Sequence, residues 1–199
     1  DIGNKPSTAN LKYLTASRLS PNLPLPEKKD EMIHFVLTGN PGTGKTTVAK
    51  LIGQMFYEMG YLESGHVVET DRSKLVAGFV GQTAIKTMDC IQKAMGGVLF
   101  IDEAYTLKRS DDDDNLDFGQ EAIDTLLKAM DQYKGKFIVV AAGYPKEMDT
   151  FINSNPGLQR RFTEKIHIED YTAKEMYEIL LLHAKKNSVK FSDELLQKL

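Results

Sequence analysis

A glycine-rich stretch, GNPGTGKTT at residues 39–47, directly follows the apolar run IHFVLT and fits the spacing G-x-x-x-x-G-K-[ST]. Glycines let successive backbone N–H groups curl around phosphate oxygens, and the start of a following helix adds further donors. Lys45 would reach the β- and γ-phosphates, and Thr46 would bind Mg²⁺. An ordinary glycine-rich turn is the alternative, but the strand before and the helix after favour a phosphate-binding loop. Its residues are Gly39, Asn40, Pro41, Gly42, Thr43, Gly44, Lys45, Thr46 and Thr47.

A pair of acids, Asp102 and Glu103, ends the apolar run GVLFI. Acids at the carboxyl edge of a parallel sheet lie where ligands of such folds bind. Asp102 would hold Mg²⁺, and Glu103 could polarise a water for attack on the γ-phosphate. Two solvated acids at a strand end are the alternative, which the nearby phosphate loop disfavours.

The same acids help to separate classes of nucleotide-binding protein. A small-molecule kinase has its own phosphate acceptor and needs no water-activating acid, whereas a hydrolase does. A GTPase would carry an N-K-x-D motif after the loop, but NKPS at Asn4 lacks the acid and precedes the loop. The residues therefore favour hydrolysis of ATP with Mg²⁺.

Strand and helix patterns alternate around these residues. Short apolar runs predict strands at 33–37, 66–69, 97–101, 136–142 and 164–168, and apolar periodicity predicts helices at 45–59, 83–95, 119–133 and 145–154. This alternation predicts an α/β fold in which five parallel strands carry helices on both faces. Two further helices, 173–187 and 192–199, have no strand between them.

The pattern divides the chain into three parts. Residues 1–31 are a linker that holds one helical stretch, TANLKYLTASRL; residues 32–171 are the nucleotide-binding core; residues 172–199 begin an all-helical subdomain. The acidic run SDDDDNLDF is interpreted as a solvated loop.

Composition limits the classes of partner. The net charge of −3 gives no argument for binding nucleic acid or an anionic membrane. No apolar run approaches the roughly 18 residues of a membrane helix. Cys90 is the only cysteine, which suits a reducing compartment and predicts a cytoplasmic protein.

Several blocks together resemble the AAA+ ATPases, and more narrowly the group that contains red-type Rubisco activase and stage V sporulation protein K. They include TGNPGTGKTTVA, AMGGVLFIDEAYTL and AGYPKEMDTFINSNPGLQRRF, and the resemblance covers about residues 33–185. It implies a P-loop NTPase core built as a three-layer sandwich, a helical lid, and a homo-oligomeric ring, expected to be a hexamer. It also implies an ATP hydrolase that remodels a protein client through the pore of that ring.

The resemblance assigns two further sites. GFVG matches the family's pore loop, so Phe79 and Val80 would contact the client; the alternative is that Phe79 folds back onto the core. In NPGLQRRF, Arg161 matches the arginine finger that completes a neighbouring subunit's site, and Arg160 is the second candidate. A surface arginine paired with an acid is the alternative for each.

Other features of the family are not assigned. The polar sensor after the fourth strand is usually asparagine, but the run here is AAGYP, where Tyr144 or a nearby group would have to substitute. The second sensor would lie beyond Leu199. Two rival functions stay open, a nucleic-acid loader on the same fold and a nucleotide-dependent scaffold with little turnover, and the sequence does not identify the client.

Overall fold

Five short strands form one parallel sheet. The computed structural model describes residues 33–79, 81–108 and 118–188. The strands are β1 (Phe35–Thr38), β2 (Val67–Thr70), β3 (Val98–Ile101), β4 (Ile138–Gly143) and β5 (Glu164–His167), in the spatial order β2-β3-β4-β1-β5. Every neighbouring pair is parallel. The predicted five-stranded parallel sheet is therefore confirmed.

The long helices begin and end within one residue of their predicted positions. They are α1 (Lys45–Glu58), α3 (Gln82–Ala94), α4 (Phe118–Gln132), α5 (Pro145–Asn153) and α7 (Ala173–Lys186). Helix α7 follows the last strand and starts at Thr172 with a capping box, in which the Thr172 and Glu175 side chains each bond the other's backbone N–H.

Helices cover both faces of the sheet. Phe35 and Leu37 of β1 pack with Ile52 and Phe56 of α1 on one face. Val36, between them, points into the opposite cluster with residues of α3, α4 and α5. Because side chains alternate along a strand, a strand buried on both faces is apolar throughout, which explains runs such as VLFI. The result is the predicted three-layer arrangement.

Three short helices were not predicted. They are α2 (Arg72–Leu75), α6 (Pro156–Arg161) and a 3₁₀ helix (Ala104–Leu107). Each is too short to show a helical period, but two carry start signals. The Asp71 side chain accepts hydrogen bonds from the N–H groups of Ser73 and Lys74, and the Asn155 side chain accepts one from Gly157.

Some predictions fall outside the described residues. These are the helices in residues 8–19 and 192–199, residues 110–117 of the acidic run, and Val80. The three-part division of the chain stays a prediction. None of the described helices is long and apolar enough to span a membrane.

Candidate active site

A cavity of about 380 Å³ opens at the carboxyl edge of the sheet, where three strands end. The phosphate loop follows β1, Asp102 and Glu103 follow β3, and Gly143 and Tyr144 close β4. Lys45 and Thr46 line this cavity together with both acids. The structure thus brings the two predicted halves of the site into one cavity, although 55 residues separate Thr46 from Asp102 in the sequence.

The phosphate loop adopts a conformation that depends on glycine. Gly42 and Gly44 have φ angles of 78° and 94°, in the left-handed region that other residues avoid. Gly44 is the N-cap of α1, and no side chain caps that helix among the described residues. The first N–H groups of α1 therefore remain as donors for an anion.

Asn40 acts in the loop through its backbone. Its carbonyl oxygen accepts a hydrogen bond from the Thr43 hydroxyl at 2.8 Å. Its side-chain amide instead donates to both carboxylate oxygens of Asp170, at 3.0 and 2.9 Å. Asn40 therefore anchors the loop to the segment that follows β5.

Lys45 is bonded to the loop itself. Its ammonium donates to the carbonyl oxygens of Gly39, at 2.9 Å, and Asn40, at 2.8 Å. Burial lowers the pKa of Lys45 below its usual value, and the charges of Asp102 and Glu103 oppose that shift. A phosphate oxygen in the cavity would replace two neutral acceptors with a charged one, which forms the stronger hydrogen bond.

Glu103 occupies a strained backbone conformation. Its φ and ψ angles of 46° and 47° place it in the left-handed region, where a non-glycine residue costs about 1–3 kcal/mol. The Thr106 amide and hydroxyl both donate to the Glu103 carbonyl oxygen, at 2.8 and 2.7 Å. Strain of this kind collects at functional sites, and the sequence alone does not reveal it.

Asp102 is fixed from two sides. Its backbone N–H donates to the Thr70 carbonyl at 2.8 Å, which extends the ladder between β2 and β3. Its carboxylate accepts a hydrogen bond from the Glu103 N–H at 3.1 Å. Asp102 is exposed and lines the cavity.

Tyr144 is a cavity residue that the sequence left unassigned. It follows β4, which lies between β1 and β3, so the strand order places it between the phosphate loop and the acids. Its ring packs against Tyr105, with 6.1 Å between centroids.

The neighbouring Tyr105 stays protonated. Desolvation, followed by the charge of Glu103, raises the pKa of Tyr105, so the Tyr105 phenol remains a neutral donor at physiological pH.

Phe79 lies away from this cavity and is 71% exposed. Phe79 is therefore not packed against the core, and its contact with a client stays a prediction. The backbone of Gly81, φ 77°, starts α3 directly after the loop. Val80 lies outside the described residues.

The two arginines of α6 differ in their surroundings. The Arg161 guanidinium forms an ion pair with the Asp131 carboxylate, and donates to it from Nε at 3.2 Å and to the Gly157 carbonyl at 2.9 Å. Its side chain is only 17% exposed. Arg160 is exposed, and its side chain makes no hydrogen bond or ion pair within the described parts of the chain. Arg161 thus fits the alternative of an arginine paired with an acid.

Residues 35–170 match the family described as "ATPase family associated with various cellular activities (AAA)". The chain belongs to this AAA ATPase family. The resemblance inferred from the motifs is confirmed, and membership identifies the cavity as part of a nucleotide-binding ATPase domain.

Several curated proteins are similar to this chain over most of its length. The chain is 51% identical to stage V sporulation protein K of Bacillus subtilis over 149 residues, which make up 75% of this chain and 45% of that protein. It is 40% identical to the protein CfxQ homolog of Galdieria sulphuraria, over 94% of this chain and 59% of the relative. Protein CbbX of Cereibacter sphaeroides is 46% identical, over 74% and 47%. The chain spans about half the length of these curated relatives.

Proposed function

We propose that this AAA domain hydrolyses Mg²⁺-ATP at sites between the subunits of a ring, expected to be a hexamer, and uses the cycle to remodel a protein client through the central pore. The observation that carries the proposal is the convergence of Lys45, Thr46, Asp102 and Glu103 on one cavity. A binding module needs only the first two of these residues, whereas hydrolysis needs a base placed beside them.

Binding of the triphosphate would draw on the loop backbone and Lys45. The N–H groups at the start of α1 and the left-handed loop would hold the β- and γ-phosphates. The Lys45 ammonium would leave the carbonyls of Gly39 and Asn40 for the phosphate oxygens. Its lowered pKa, which burial causes, would rise again beside that anion.

The residues present fit Mg²⁺. The cavity offers the Thr46 hydroxyl and the Asp102 carboxylate, both hard oxygen donors. The described residues contain no group of three or more His, Cys, Asp or Glu side chains that could hold a metal alone. That suits Mg²⁺, which binds through one or two protein ligands together with substrate phosphates. When bound, it would neutralise charge on the β- and γ-phosphate oxygens.

Glu103 would act as the base. Its carboxylate shares the cavity with Lys45 and Thr46, so a water between Glu103 and the γ-phosphate would have its acceptor and its target close together. The hydrogen bonds from Thr106 hold the turn that presents this carboxylate. ADP and phosphate would be the products.

A neighbouring subunit would supply an arginine to the same site. Both Arg161 and Arg160 lie on α6 and neither lines the cavity of their own subunit, as a group acting in trans requires. The geometry favours Arg160, because Arg161 would first have to leave Asp131 and Gly157. In this proposal Arg161 stabilises α6 and Arg160 reaches the neighbour.

The client would contact Phe79. The Phe79 side chain is 71% exposed, so it buries little apolar surface within its own subunit. A ring of such side chains, one from each subunit, would offer an apolar surface to an extended polypeptide. Phe79 and Val80 together would form this pore loop. The client itself is a protein of unknown identity.

Two variants of the full-length protein test the nucleotide chemistry. Lys45→Ala should abolish ATP binding in calorimetric titration, because the triphosphate loses its main cationic partner. Glu103→Gln keeps the size and hydrogen bonding of the side chain but removes the base. It should bind ATP normally and hydrolyse it at least about 10²-fold more slowly. Normal turnover in Glu103→Gln would reject the proposed chemistry, and near-zero turnover in the parent would favour a scaffold.

A third variant tests the grip on the client. Phe79→Ala should leave ATP affinity intact and basal hydrolysis within a few-fold of the parent, because Phe79 lies away from the cavity. Phe79→Tyr keeps the ring and serves as the matched control. Once a client is found by capture on the Glu103→Gln protein, Phe79→Ala should fail to remodel it. Full remodelling by Phe79→Ala would remove the pore loop from the proposal.

A further inference from the structure

Arg72 connects the turn that carries Glu103 to the segment that leads to Phe79. Arg72 begins α2, directly after β2, and its Nη1 donates to the carbonyl oxygens of Thr106 and Leu107, at 2.6 and 3.0 Å. Those carbonyls belong to the 3₁₀ helix whose N-cap is Glu103. A charged donor shared by two carbonyls is a strong and directional link, so α2 and the 3₁₀ helix are joined at this point.

The same segment is fastened to α3 on its other side. The Lys86 ammonium donates to the carbonyls of Ser73 and Val76, at 2.7 and 3.0 Å. The Thr83 hydroxyl accepts from the Ala77 N–H at 3.0 Å, and the Thr87 hydroxyl donates to the Leu75 carbonyl at 3.0 Å. Thr83 and Thr87 are fully buried. Residues 72–77 are therefore held as one unit, and only Gly78 separates this unit from Phe79.

The turn at Glu103 combines a strained backbone conformation with empty volume on two sides. Its left-handed backbone conformation is costly for a glutamate. Besides the candidate active-site cavity, Glu103 borders a second cavity of about 670 Å³, which it shares with Asp71, Arg72, Val76 and Thr106. A strained residue between two cavities has room to change conformation when one of them is filled, and any such movement pulls on the carbonyls that Arg72 holds.

We infer that Arg72 is a positioning residue that transmits the state of the Glu103 turn to the Phe79 loop. Four observed contacts make up the path. Thr106 donates to Glu103, Arg72 donates to Thr106 and to Leu107, and Lys86 of α3 donates to Ser73 of α2. The inference rests on the proposed function, because it concerns how ATP bound beside Glu103 would move the residue that contacts the client.

The chain contains no tryptophan, which allows a selective test. Phe79→Trp in the full-length protein adds a tryptophan at the exposed loop, and the emission of the parent protein under the same conditions is subtracted. The tryptophan emission is measured at saturation with ADP and at saturation with a non-hydrolysable ATP analogue, and the two values are compared. We expect a clear difference between the two nucleotides in the Phe79→Trp protein. Adding Arg72→Ala should remove at least about three-quarters of that difference while nucleotide affinity stays within about three-fold.

Three companion measurements make the result specific. Lys74→Ala is the matched control, because Lys74 lies in the same short helix but donates to the Glu69 carbonyl of β2; it should leave the emission difference unchanged. Arg72→Lys can still donate to both carbonyls and should recover part of it. Melting curves show whether Arg72→Ala is folded. If it is not, Arg72→Lys is compared with Lys74→Ala, and Arg72→Lys must show the smaller emission difference between the two nucleotides.

The outcomes separate this inference from the proposed function. Failure of the parent to bind ATP would overturn the proposed function. ATP binding without any emission difference in Phe79→Trp, or a full difference that persists with Arg72→Ala, would overturn the role of Arg72 and leave the ATPase assignment intact.

Discussion

The Lys45 side chain is hydrogen-bonded to its own loop. Its ammonium is bonded to two carbonyls of the loop, Gly39 and Asn40. An incoming phosphate must replace both bonds, so the affinity for nucleotide is the difference between two sets of contacts rather than the full strength of one. The same bonds hold the loop near its binding conformation, which lowers the entropy cost of ordering it.

Tyr144 provides a prediction at this scale. Its ring lines the cavity beside Asp102 and Glu103, and a phenol there can donate to a γ-phosphate oxygen or to the attacking water. Tyr144→Phe removes only that hydroxyl. We expect kcat for ATP hydrolysis to fall by about 10–100-fold, with little change in ATP affinity.

Tyr57→Phe is the control for this prediction, since Tyr57 lies half exposed on α1 and is not among the residues that line the cavity. Steady-state kinetics and calorimetric titration measure the two effects separately. A weakened affinity with unchanged kcat in Tyr144→Phe would show that the hydroxyl contributes to binding and not to the chemical step.

The residues of the site differ in how far the sequence could predict them. Lys45, Thr46, Asp102 and Glu103 stand in motifs whose spacing implies the chemistry, so their meeting in one cavity followed from the strand order. The surroundings of Arg161 did not, because its partner Asp131 lies 30 residues away and meets it only when α4 and α6 pack. Local pattern carries no information about such a pair.

At the scale of elements, the start of α4 packs directly on the end of the 3₁₀ helix. A Cβ atom added at Gly119 would lie 1.8 Å from the Leu107 carbonyl oxygen and 2.8 Å from Arg72 Nη1. The first contact is with backbone and cannot be relieved by a rotamer change. Glycine is therefore required here by packing, although alanine is the better helix former.

This contact predicts the effect of Gly119→Ala. Its overpacking should cost about 1–3 kcal/mol, more than the gain in helix propensity. The melting temperature should fall by about 2–4 °C for each kcal/mol. Gly78→Ala is the matched control, because nothing lies within 4 Å of its added Cβ. A Gly119→Ala protein as stable as the parent would mean that α4 can shift away from Leu107.

His34, at the start of the sheet, links β1 to β4 and predicts a pH dependence. Its Nδ1 accepts a hydrogen bond from the Val139 N–H at 3.0 Å, and its buried Nε2 has no partner among the described residues. Burial, and then the charge of Arg161, lowers the pKa of His34 to about 3. Between pH 6.5 and pH 3 the unfolded chain therefore binds this proton and the folded chain does not.

Stability should consequently fall as pH drops below 6.5. By pH 4.5 the loss from His34 alone should reach about 2–3 kcal/mol, and carboxylates, which start to titrate near that pH, add their own contribution in the parent and in the variant alike. Denaturant unfolding at pH 7.5, 6.0, 5.25 and 4.5 measures it. His34→Gln should be less stable at pH 7.5 but should lose less on acidification. An equal slope in the parent and in His34→Gln would assign the pH dependence to other groups.

The elements themselves were largely predictable. Long helices and strands carry their periodicity in the sequence, and Gly, Pro and Asn at their ends mark where they stop. The short helices α2 and α6 carry only capping signals, Asp71 in one and Asn155 with Pro156 in the other. Their importance lies in tertiary contacts, Arg72 with the 3₁₀ helix and Arg161 with α4, which no window of sequence contains.

For the whole molecule, the groups to which the proposal gives a role lie at separate places on the described surface. The cavity lies at the carboxyl edge of the sheet, Phe79 stands out beyond α2, and Arg160 lies on α6 outside the cavity. Arg160 does not line the cavity of its own subunit. In the proposed ring it could reach the cavity of a neighbour, because a head-to-tail interface joins two different surfaces of the same chain.

This arrangement leads to the last prediction, a mixing experiment on the full-length protein. Subunits with Arg160→Ala and subunits with Glu103→Gln should each be inactive alone. The first retain the base and lack the finger, and the second retain the finger and lack the base. In a random equimolar mixture, about a quarter of the interfaces pair an intact base with an intact finger. ATP hydrolysis should therefore recover to about that share of the parent rate, provided each interface works independently.

The same experiment decides between the two arginines. Arg161→Ala removes the ion pair with Asp131 and the bond to Gly157, so it should lower the melting temperature, which Arg160→Ala should not. If Arg161→Ala subunits recover activity in the mixture while Arg160→Ala subunits are already active alone, the finger is Arg161 and its contact with Asp131 must break when the ring forms. If neither mixture recovers, in rings shown by native mass spectrometry to contain both kinds of subunit, the site is completed within one chain and the proposed ring mechanism is wrong.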